Sequence, residues 1–236
     1  MSTFVLVHGA WAGSWVWRKV RPLLLRGGND VYVPSLTGQG ERSHLAGPSV
    51  NLTTHVQDVV NTLFYEDLHD VVLVGHSYGG MVVTGVANDA HERIGHLVYL
   101  DAFLPNNGQS LADIGGPAAP PAGDWRLPPM GGGPPPANPN DPEMLWARAH
   151  VGPQPWGTFS EKVRLSRPLE RYPFTRSFVL ALGRDGQGPF EKFAVRVKDN
   201  PAWLYREING GHNMMISNPV ELAMLLLELA KLTMEA

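Results

Sequence analysis

Gly75-His76-Ser77-Tyr78-Gly79 stands between an apolar segment, Asp70 to Val74, and a second apolar segment that begins near Gly80. The pattern G-x-S-x-G at a junction of strand and helix predicts a sharp turn that holds the serine in a strained conformation with its hydroxyl exposed. Glycines two residues on either side of the serine allow the strand and the helix to pack where a Cβ atom would clash. The string alone is a weak signal, so its meaning depends on the rest of the chain.

Strands and helices alternate on both sides of this turn. Short continuous apolar runs, such as Phe4 to Val7, are typical of strands that are buried on both faces of a sheet. Six such strands are predicted, each followed by a helix or by an insertion, at residues 4–7, 30–34, 70–74, 96–101, 177–182 and 203–208. This alternation predicts an α/β fold with a six-stranded, mainly parallel sheet covered by helices on both faces.

The regular pattern stops between residues 106 and 172, where the chain is rich in proline and glycine. A structureless loop of this length is unusual inside a compact domain. The segment carries Trp125, Trp146 and Trp156, and a disordered linker seldom contains so many large aromatic residues. We therefore expect a core formed by residues 1–105 and 173–236, and a cap formed by residues 106–172 that covers a pocket.

Composition narrows the class of protein. The 236 residues carry a net charge of −3 and no cysteine, so neither a basic patch for nucleic acid nor a disulfide framework is expected. No apolar run is long enough to span a membrane, and no signal peptide is evident. We expect a cytoplasmic protein whose partner is a small molecule, with no nucleic acid and no membrane, and the sequence leaves a homodimer open.

A serine hydroxyl becomes a useful nucleophile only beside a base that takes its proton and a group that orients the base. Ser77 ends one strand, and His212 follows the last strand, so both are expected at the same edge of the sheet. Asp185, just beyond the strand at 177–182, is the predicted acid, and Asp101, at the end of the strand after the elbow helix, is the alternative. We interpret His8 as a structural residue that could touch the pocket.

A tetrahedral intermediate also needs hydrogen-bond donors for its oxyanion, and backbone N–H groups are suited to this because they are fixed in place. One donor is expected from Tyr78, at the positive end of the elbow helix. The other is expected from Ala10, in the loop His8-Gly9-Ala10-Trp11 after the first strand, where Gly9 permits a close approach.

These segments together resemble the α/β-hydrolase superfamily. Within it, the chain is similar to the small cofactor-free branch of plant methyl esterases, salicylate-binding esterases, hydroxynitrile lyases and bacterial carboxylesterases. The resemblance covers about residues 1–105 and 173–236. It implies a triad of Ser77, His212 and Asp185, an oxyanion hole at Ala10 and Tyr78, no cofactor, no metal, and a cap in the middle segment.

Two positions separate the activities of this branch. Hydroxynitrile lyases carry threonine at the position of Gly9 and lysine at the position of Asn213, so the resemblance favours ester hydrolysis through an acyl-enzyme. A lactonase or an aryl-amidase with the same triad is the alternative, and a non-catalytic ligand-binding protein and a C–C lyase are further ones. The pocket is expected to be apolar and to favour aromatic or branched esters, although core packing explains each lining residue as readily: Trp11, Phe103, Trp125, Trp156 and Met214.

Overall fold

Six parallel strands form the main sheet of the computed structural model, which describes residues 1–130, 141–183 and 189–233. The strands stand in the order β2-β1-β3-β4-β7-β8, and every neighbouring pair is parallel. Their bounds are β1 Thr3–Val7, β2 Asp30–Tyr32, β3 Val71–His76, β4 Ile94–Leu100, β7 Thr175–Ala181 and β8 Leu204–Ile208. The predicted six-stranded α/β fold is confirmed.

Helices cover both faces of this sheet. On one face lie α2 (Leu52–Tyr65), α3 (Gly79–Asp89) and α6 (Glu191–Lys198), and on the other lie α1 (Val20–Arg26), α7 (Met214–Ser217) and α8 (Pro219–Thr233). Each group of helices encloses its own cluster of buried apolar side chains.

The central strand β3 shows why the sequence forms this layered core. Successive side chains of a strand point to opposite faces. Val71 and Leu73 accordingly enter the cluster under α2 and α3, whereas Val72 and Val74 enter the cluster under α1 and α8. All six residues of the strand are buried, so the continuous apolar run in the sequence reflects burial on both sides.

The segment 106–172, called the insertion below, contributes a small antiparallel pair and two α-helices in its described residues. The pair joins β5 (Arg126–Leu127) to β6 (Gln154–Pro155), and the helices are α4 (Pro142–His150) and α5 (Gly157–Ser160). Most of the proline- and glycine-rich stretch, 131–140, lies outside the described residues.

The insertion packs against the core on both faces of the sheet. Phe159 belongs to the cluster under α2 and α3, and Ala147 belongs to the cluster under α1 and α8. At the surface, Glu143 forms ion pairs with Arg18 at 2.7 Å and with Lys19 at 3.0 Å. Within the described ranges, no helix is long and apolar enough to cross a membrane.

Candidate active site

Ser77 lies in the sharp turn between β3 and α3 that the sequence predicts. Its φ of 55° is in the left-handed region, and 9% of the residue is exposed. A Cβ atom on Gly75 would lie 2.7 Å from the carbonyl oxygen of Gly79, and one on Gly80 would lie 2.1 Å from that of Phe103. The turn therefore forms only because glycine lets the backbones approach this closely.

His212 lies beside this turn, in the loop between β8 and α7. Nε2–H of His76 donates to the backbone carbonyl oxygen of His212 at 2.9 Å, and the two imidazole rings are 4.5 Å apart. The residue that precedes Ser77 thus fixes the loop that carries His212. The side chain of His212 keeps 34% of its surface exposed, so a substrate can reach it.

Asp101 is the carboxylate that contacts His212 in the described structure. It follows β4 directly, has no exposed surface, and accepts a hydrogen bond from Nδ1 of His212 at 2.6 Å through Oδ2. Its other oxygen, Oδ1, accepts from the backbone N–H of Ala181 at 3.3 Å, at the end of the neighbouring strand β7. Because Nδ1 carries the hydrogen in this bond, Nε2 of His212 is left to accept a proton.

Asp185, the acid predicted from the sequence, lies outside the described residues, within 184–188. Asp101 was the alternative, and the structure places it against the imidazole. The signal in the sequence was its position, directly after a buried strand that neighbours the elbow strand.

The loop after β1 lies against Ser77, as its sequence predicts. A Cβ atom built on Gly9 would be 3.0 Å from Cβ of Ser77. Within the described part of the chain, no acceptor takes a hydrogen bond from the backbone N–H of Ala10 or from that of Tyr78. These two backbone N–H groups thus have no hydrogen-bond acceptor among the described residues.

Two buried histidines bond to Gly9 and to the side chain of Tyr78, and neither has an exposed position for proton transfer. Burial lowers the pKa of His8 and of His55 to about 4, so both are neutral near pH 7. His8 donates through Nδ1 to the carbonyl oxygen of Gly9 at 2.8 Å and accepts from the N–H of Leu36 at 3.1 Å. His55 accepts the hydroxyl hydrogen of Tyr78 at Nδ1, since its Nε2–H donates to a carbonyl oxygen on the other side.

Aromatic side chains flank the imidazole of His212. The ring of Phe190 stacks on it with 5.1 Å between centroids, and Phe103 meets Phe190 edge to face at 5.0 Å. Phe103 was predicted to line the pocket, whereas Phe190 was not singled out in the sequence. Both are buried, so they form the wall beside the imidazole.

The other four residues predicted to line the pocket have different surroundings. Trp11 and Trp156 are half-buried and pack against the cluster under α2 and α3. Trp125 is half-buried, with the guanidinium of Arg126 over its ring at 5.3 Å. Met214 has no exposed surface and belongs to the cluster under α1 and α8, so core packing accounts for its position.

Three of the five non-glycine residues with left-handed backbone in the described ranges lie at this edge of the sheet. Trp11, Ser77 and Asp101 have φ values of 59°, 55° and 46°, and each follows the carboxyl end of a strand. Non-glycine residues adopt this conformation at a cost, and such residues cluster at functional sites. Across residues 1–130, 141–183 and 189–233, no group of three or more His, Asp or Glu side chains could hold a metal ion.

Comparisons with known proteins agree with this geometry. The sequence model of the alpha/beta hydrolase family matches residues 4–225. The chain is 38% identical over 239 residues to a carbendazim hydrolyzing esterase of Nocardioides sp. (strain SG-4G), covering 94% of this chain and 97% of that protein. It is 34% identical over 109 residues to methylesterase 1 of Arabidopsis thaliana, which covers 45% of this chain and 41% of that protein.

Among solved structures, the chain is similar to an extracellular alpha/beta-hydrolase from a Paenibacillus species, described as sharing structural and functional homology with tobacco salicylic acid binding protein 2. The TM-score is 0.73 at 25% identity, and the match covers 97% of this chain and 99% of that one. The resemblance predicted from the sequence is confirmed. The esterases among its relatives identify this chain as a hydrolase and support esterase activity.

Proposed function

Because the chain belongs to the α/β hydrolase family and is a hydrolase, we propose that it is a serine carboxylesterase. Its substrates are small to medium carboxylic esters, and the reaction passes through an acyl-enzyme. The observation that carries the proposal is the contact of His212 with Asp101 on one side and with His76, the neighbour of Ser77, on the other.

In the first half of the reaction, Oγ of Ser77 attacks the ester carbonyl carbon while Nε2 of His212 takes the hydroxyl proton. The carbonyl oxygen becomes an oxyanion that accepts hydrogen bonds from the N–H groups of Ala10 and Tyr78. The tetrahedral intermediate then collapses, the C–O bond to the alcohol breaks, and His212 gives its proton to the leaving alcohol.

In the second half, water attacks the acyl-enzyme and His212 again acts as the base. The second tetrahedral intermediate collapses, the bond between the carbonyl carbon and Oγ of Ser77 breaks, and His212 gives its proton to Oγ as the acid product leaves. The imidazolium that forms twice in the cycle lies beside the Asp101 carboxylate, which stabilises it without taking the proton.

We assign the orienting carboxylate to Asp101 because its Oδ2 is 2.6 Å from Nδ1 of His212 and because the residue has no exposed surface. The family position, Asp185, is the competing assignment. Both follow neighbouring strands, β4 and β7, so the two can be compared directly by substitution.

The absence of a side chain at residue 9 favours ester hydrolysis over cyanohydrin cleavage. The chain is 34% identical over 104 residues to an alpha-hydroxynitrile lyase of Arabidopsis thaliana, so this activity is a real competitor. A Cβ atom on Gly9 would already press on Ser77 and on Nδ1 of His76, both at 3.0 Å. The surroundings of Ser77 are therefore fitted to glycine, and Asn213 supplies no charge beside His212.

The aromatic residues of the site and of the insertion suggest the substrate class. Phe103, Phe190, Trp11 and Trp156 offer rings rather than charges, so we propose esters with an aromatic or branched group. Carbendazim is a second candidate substrate because the relative named for its hydrolysis matches nearly the whole chain. Lactones and aryl amides use the same triad chemistry and belong in the same substrate panel.

The test is hydrolysis of a panel of p-nitrophenyl esters, aryl lactones, aryl amides and carbendazim by the wild-type protein and by Ser77→Ala. We expect turnover of the esters and a loss on the order of a millionfold in kcat for the variant. Full activity in Ser77→Ala, or no turnover of any ester by the wild type, would overturn the proposal.

We further propose that the protein acts in the cytoplasm on a small-molecule substrate. A chain without cysteine derives no stability from an oxidising compartment. Fractionation of cells that express the protein from its own gene tests this, and recovery in the extracellular fraction would contradict it.

A further inference from the structure

Trp11, the residue after the proposed oxyanion donor Ala10, is held by the insertion at three backbone or side-chain atoms. Its N–H donates to Oε1 of Gln154 at 2.8 Å, its carbonyl oxygen accepts from the N–H of Gly152 at 3.0 Å, and its Nε1–H donates to the carbonyl oxygen of Leu127 at 3.2 Å. A tryptophan with φ of 59° persists only where its surroundings impose that conformation. These three contacts supply the constraint.

Gln154 is the side chain in this set. It has no exposed surface, and its Nε2–H₂ donates to Oγ1 of Thr158 at 2.8 Å, which in turn donates to the carbonyl oxygen of Pro155 at 2.7 Å. The amide is thus fixed from the insertion side, with its oxygen directed at Trp11. Because this buried amide oxygen accepts from the backbone N–H of Trp11, it fixes the plane of the peptide bond between Ala10 and Trp11.

The same part of the insertion also contacts the second proposed donor. The ring of Phe159 lies 5.6 Å from that of Trp11 and 5.5 Å from that of Tyr78, and the residue is 1% exposed. Thr158 lies close enough to the Tyr78 hydroxyl to affect its pKa, which burial raises well above its usual value. Residues 154–159 therefore contact the backbone of Trp11, next to one proposed donor, and the side chain of Tyr78, the residue that carries the other.

We propose that Gln154 is a positioning residue of the oxyanion hole, which it holds in place across the boundary between the insertion and the core. This inference rests on the proposed function, because it assigns a role in the same reaction. Gln154 touches no reacting atom. It acts through the peptide between Ala10 and Trp11, which shares the Cα of Ala10 with the preceding peptide that carries the donor N–H.

The consequence is a specific kinetic signature. A donor that is misdirected weakens the oxyanion more than the neutral ester, so the loss falls on kcat and not on KM. Complete loss of one donor typically costs about 10²–10³ in rate, so a misdirected donor is expected to cost about 10- to 100-fold.

The experiment compares the wild type with Gln154→Met, which keeps the length of the side chain and removes both hydrogen bonds. Gln39→Met is the matched control. Gln39 is likewise buried and donates to the carbonyl oxygen of Pro153 in the insertion at 3.2 Å, but it makes no bond to the loop of residues 8–11. An effect of loosening the insertion as a whole would appear in both methionine variants.

The second readout is inhibition by an aryl trifluoromethyl ketone, to which Oγ of Ser77 adds while its proton passes to His212. The adduct carries the oxyanion, so its dissociation constant reports on the hole. We expect Gln154→Met to lower kcat and to weaken the ketone by about 10- to 100-fold each, with KM within about threefold. Gln39→Met is expected to stay within about fivefold of the wild type in both measurements.

A change in KM alone, equal losses in Gln154→Met and Gln39→Met, or a lower kcat with unchanged ketone binding would overturn the assignment. If Gln154→Met does not fold, Thr158→Val takes its place, since it removes the hydroxyl that fixes the amide; a normal kcat and normal ketone binding in that variant would also overturn the assignment. Failure of the proposed function looks different, because then the wild type itself does not hydrolyse the ester or Ser77→Ala retains activity.

Discussion

Nδ1 of His212 lies 2.6 Å from Oδ2 of Asp101, across 111 residues of sequence and at the end of a different strand. The carboxylate is fully buried, and its second oxygen is occupied by the N–H of Ala181. A carboxylate fixed in this way determines which nitrogen of the imidazole carries the hydrogen, and so which nitrogen can take a proton from a serine.

The first prediction concerns this pair. Asp101→Asn places an amide against Nδ1 and allows the tautomer that has the hydrogen on the wrong nitrogen, so kcat for a p-nitrophenyl ester should fall by about 10³- to 10⁴-fold. Asp185→Asn is the matched comparison, and it should lower kcat less. Single-turnover kinetics of both variants would give the answer, and a larger loss in Asp185→Asn would move the role to that residue.

The second prediction concerns the missing side chain at residue 9. In Gly9→Ala the new Cβ atom would lie 3.0 Å from Cβ of Ser77 and from Nδ1 of His76, so the loop or the serine must shift. A shift of a few tenths of an ångström at the reacting atoms should lower kcat/KM by about tenfold or more. Gly47→Ala is the control, because a Cβ atom there meets nothing within 4 Å, and equal rates in the two variants would contradict the argument.

The third prediction is a loss of stability in acid from a histidine away from the site. His96 is buried between Oγ of Ser177 at 2.7 Å and the carbonyl oxygen of Leu229 at 3.1 Å, and burial lowers its pKa from 6.5 to about 4. Below pH 6.5 the unfolded chain binds a proton at His96, whereas the folded chain binds it only below about pH 4. The contribution of neutral His96 to the free energy of unfolding is therefore complete above pH 6.5. It falls by on the order of 3 kcal/mol between pH 6.5 and pH 4.

Urea unfolding at pH 7.0, 5.5 and 4.5 measures this slope. His96→Gln is expected to be less stable at pH 7 but to lose less between pH 7 and 4.5 than the wild type does, because one histidine no longer takes up a proton on unfolding. His69→Gln, at a site where 59% of the side chain is exposed, should follow the wild type. Parallel slopes in the wild type and in His96→Gln would refute the assignment.

The fourth prediction concerns substrate choice. Trp156 is half-buried in the insertion and packs against the cluster under α2 and α3. Its backbone N–H donates to the carbonyl oxygen of Trp125, and this hydrogen bond does not depend on the side chain. Trp156→Ala should change the ratio of kcat/KM between a benzoyl and an acetyl ester by about 10-fold while the variant remains folded, which circular dichroism checks. Trp146→Ala truncates a tryptophan that contacts Trp15 and Arg18 instead, and it should leave the ratio as in the wild type.

The fold could be predicted from the sequence because the main sheet depends on local patterns. The six apolar runs, the glycines around Ser77 and the loop before α7 each indicate a strand end, and parallel strands bring those ends to one edge. Ser77 and His212 were singled out on that basis alone, and the structure places the His212 loop against His76.

The choice between two carboxylates could not be made in this way. Asp101 and Asp185 both follow buried strands, and their distances along the chain from His212 are compatible with either. What turns Asp101 toward the imidazole is its left-handed φ of 46° and the bond from Ala181, neither of which has a local signature in the sequence. Gln154 was not recognised for a similar reason. Its partner Trp11 is 143 residues away, and the sequence of the insertion lacks the regular alternation of strands and helices seen in the core.

The long sequence separations within the site bear on when a nascent chain could first become active. The residues that hold the site together come from the loops after the first and fourth strands, from the insertion and from the loop before α7. During synthesis the early strands can pair while His212 is still inside the ribosome, since the amino-terminal part of a chain folds first. A chain arrested before residue 212 would thus carry the serine turn and no means of activating it. Release from the ribosome before residue 212 would therefore give an inert fragment rather than a partly active hydrolase.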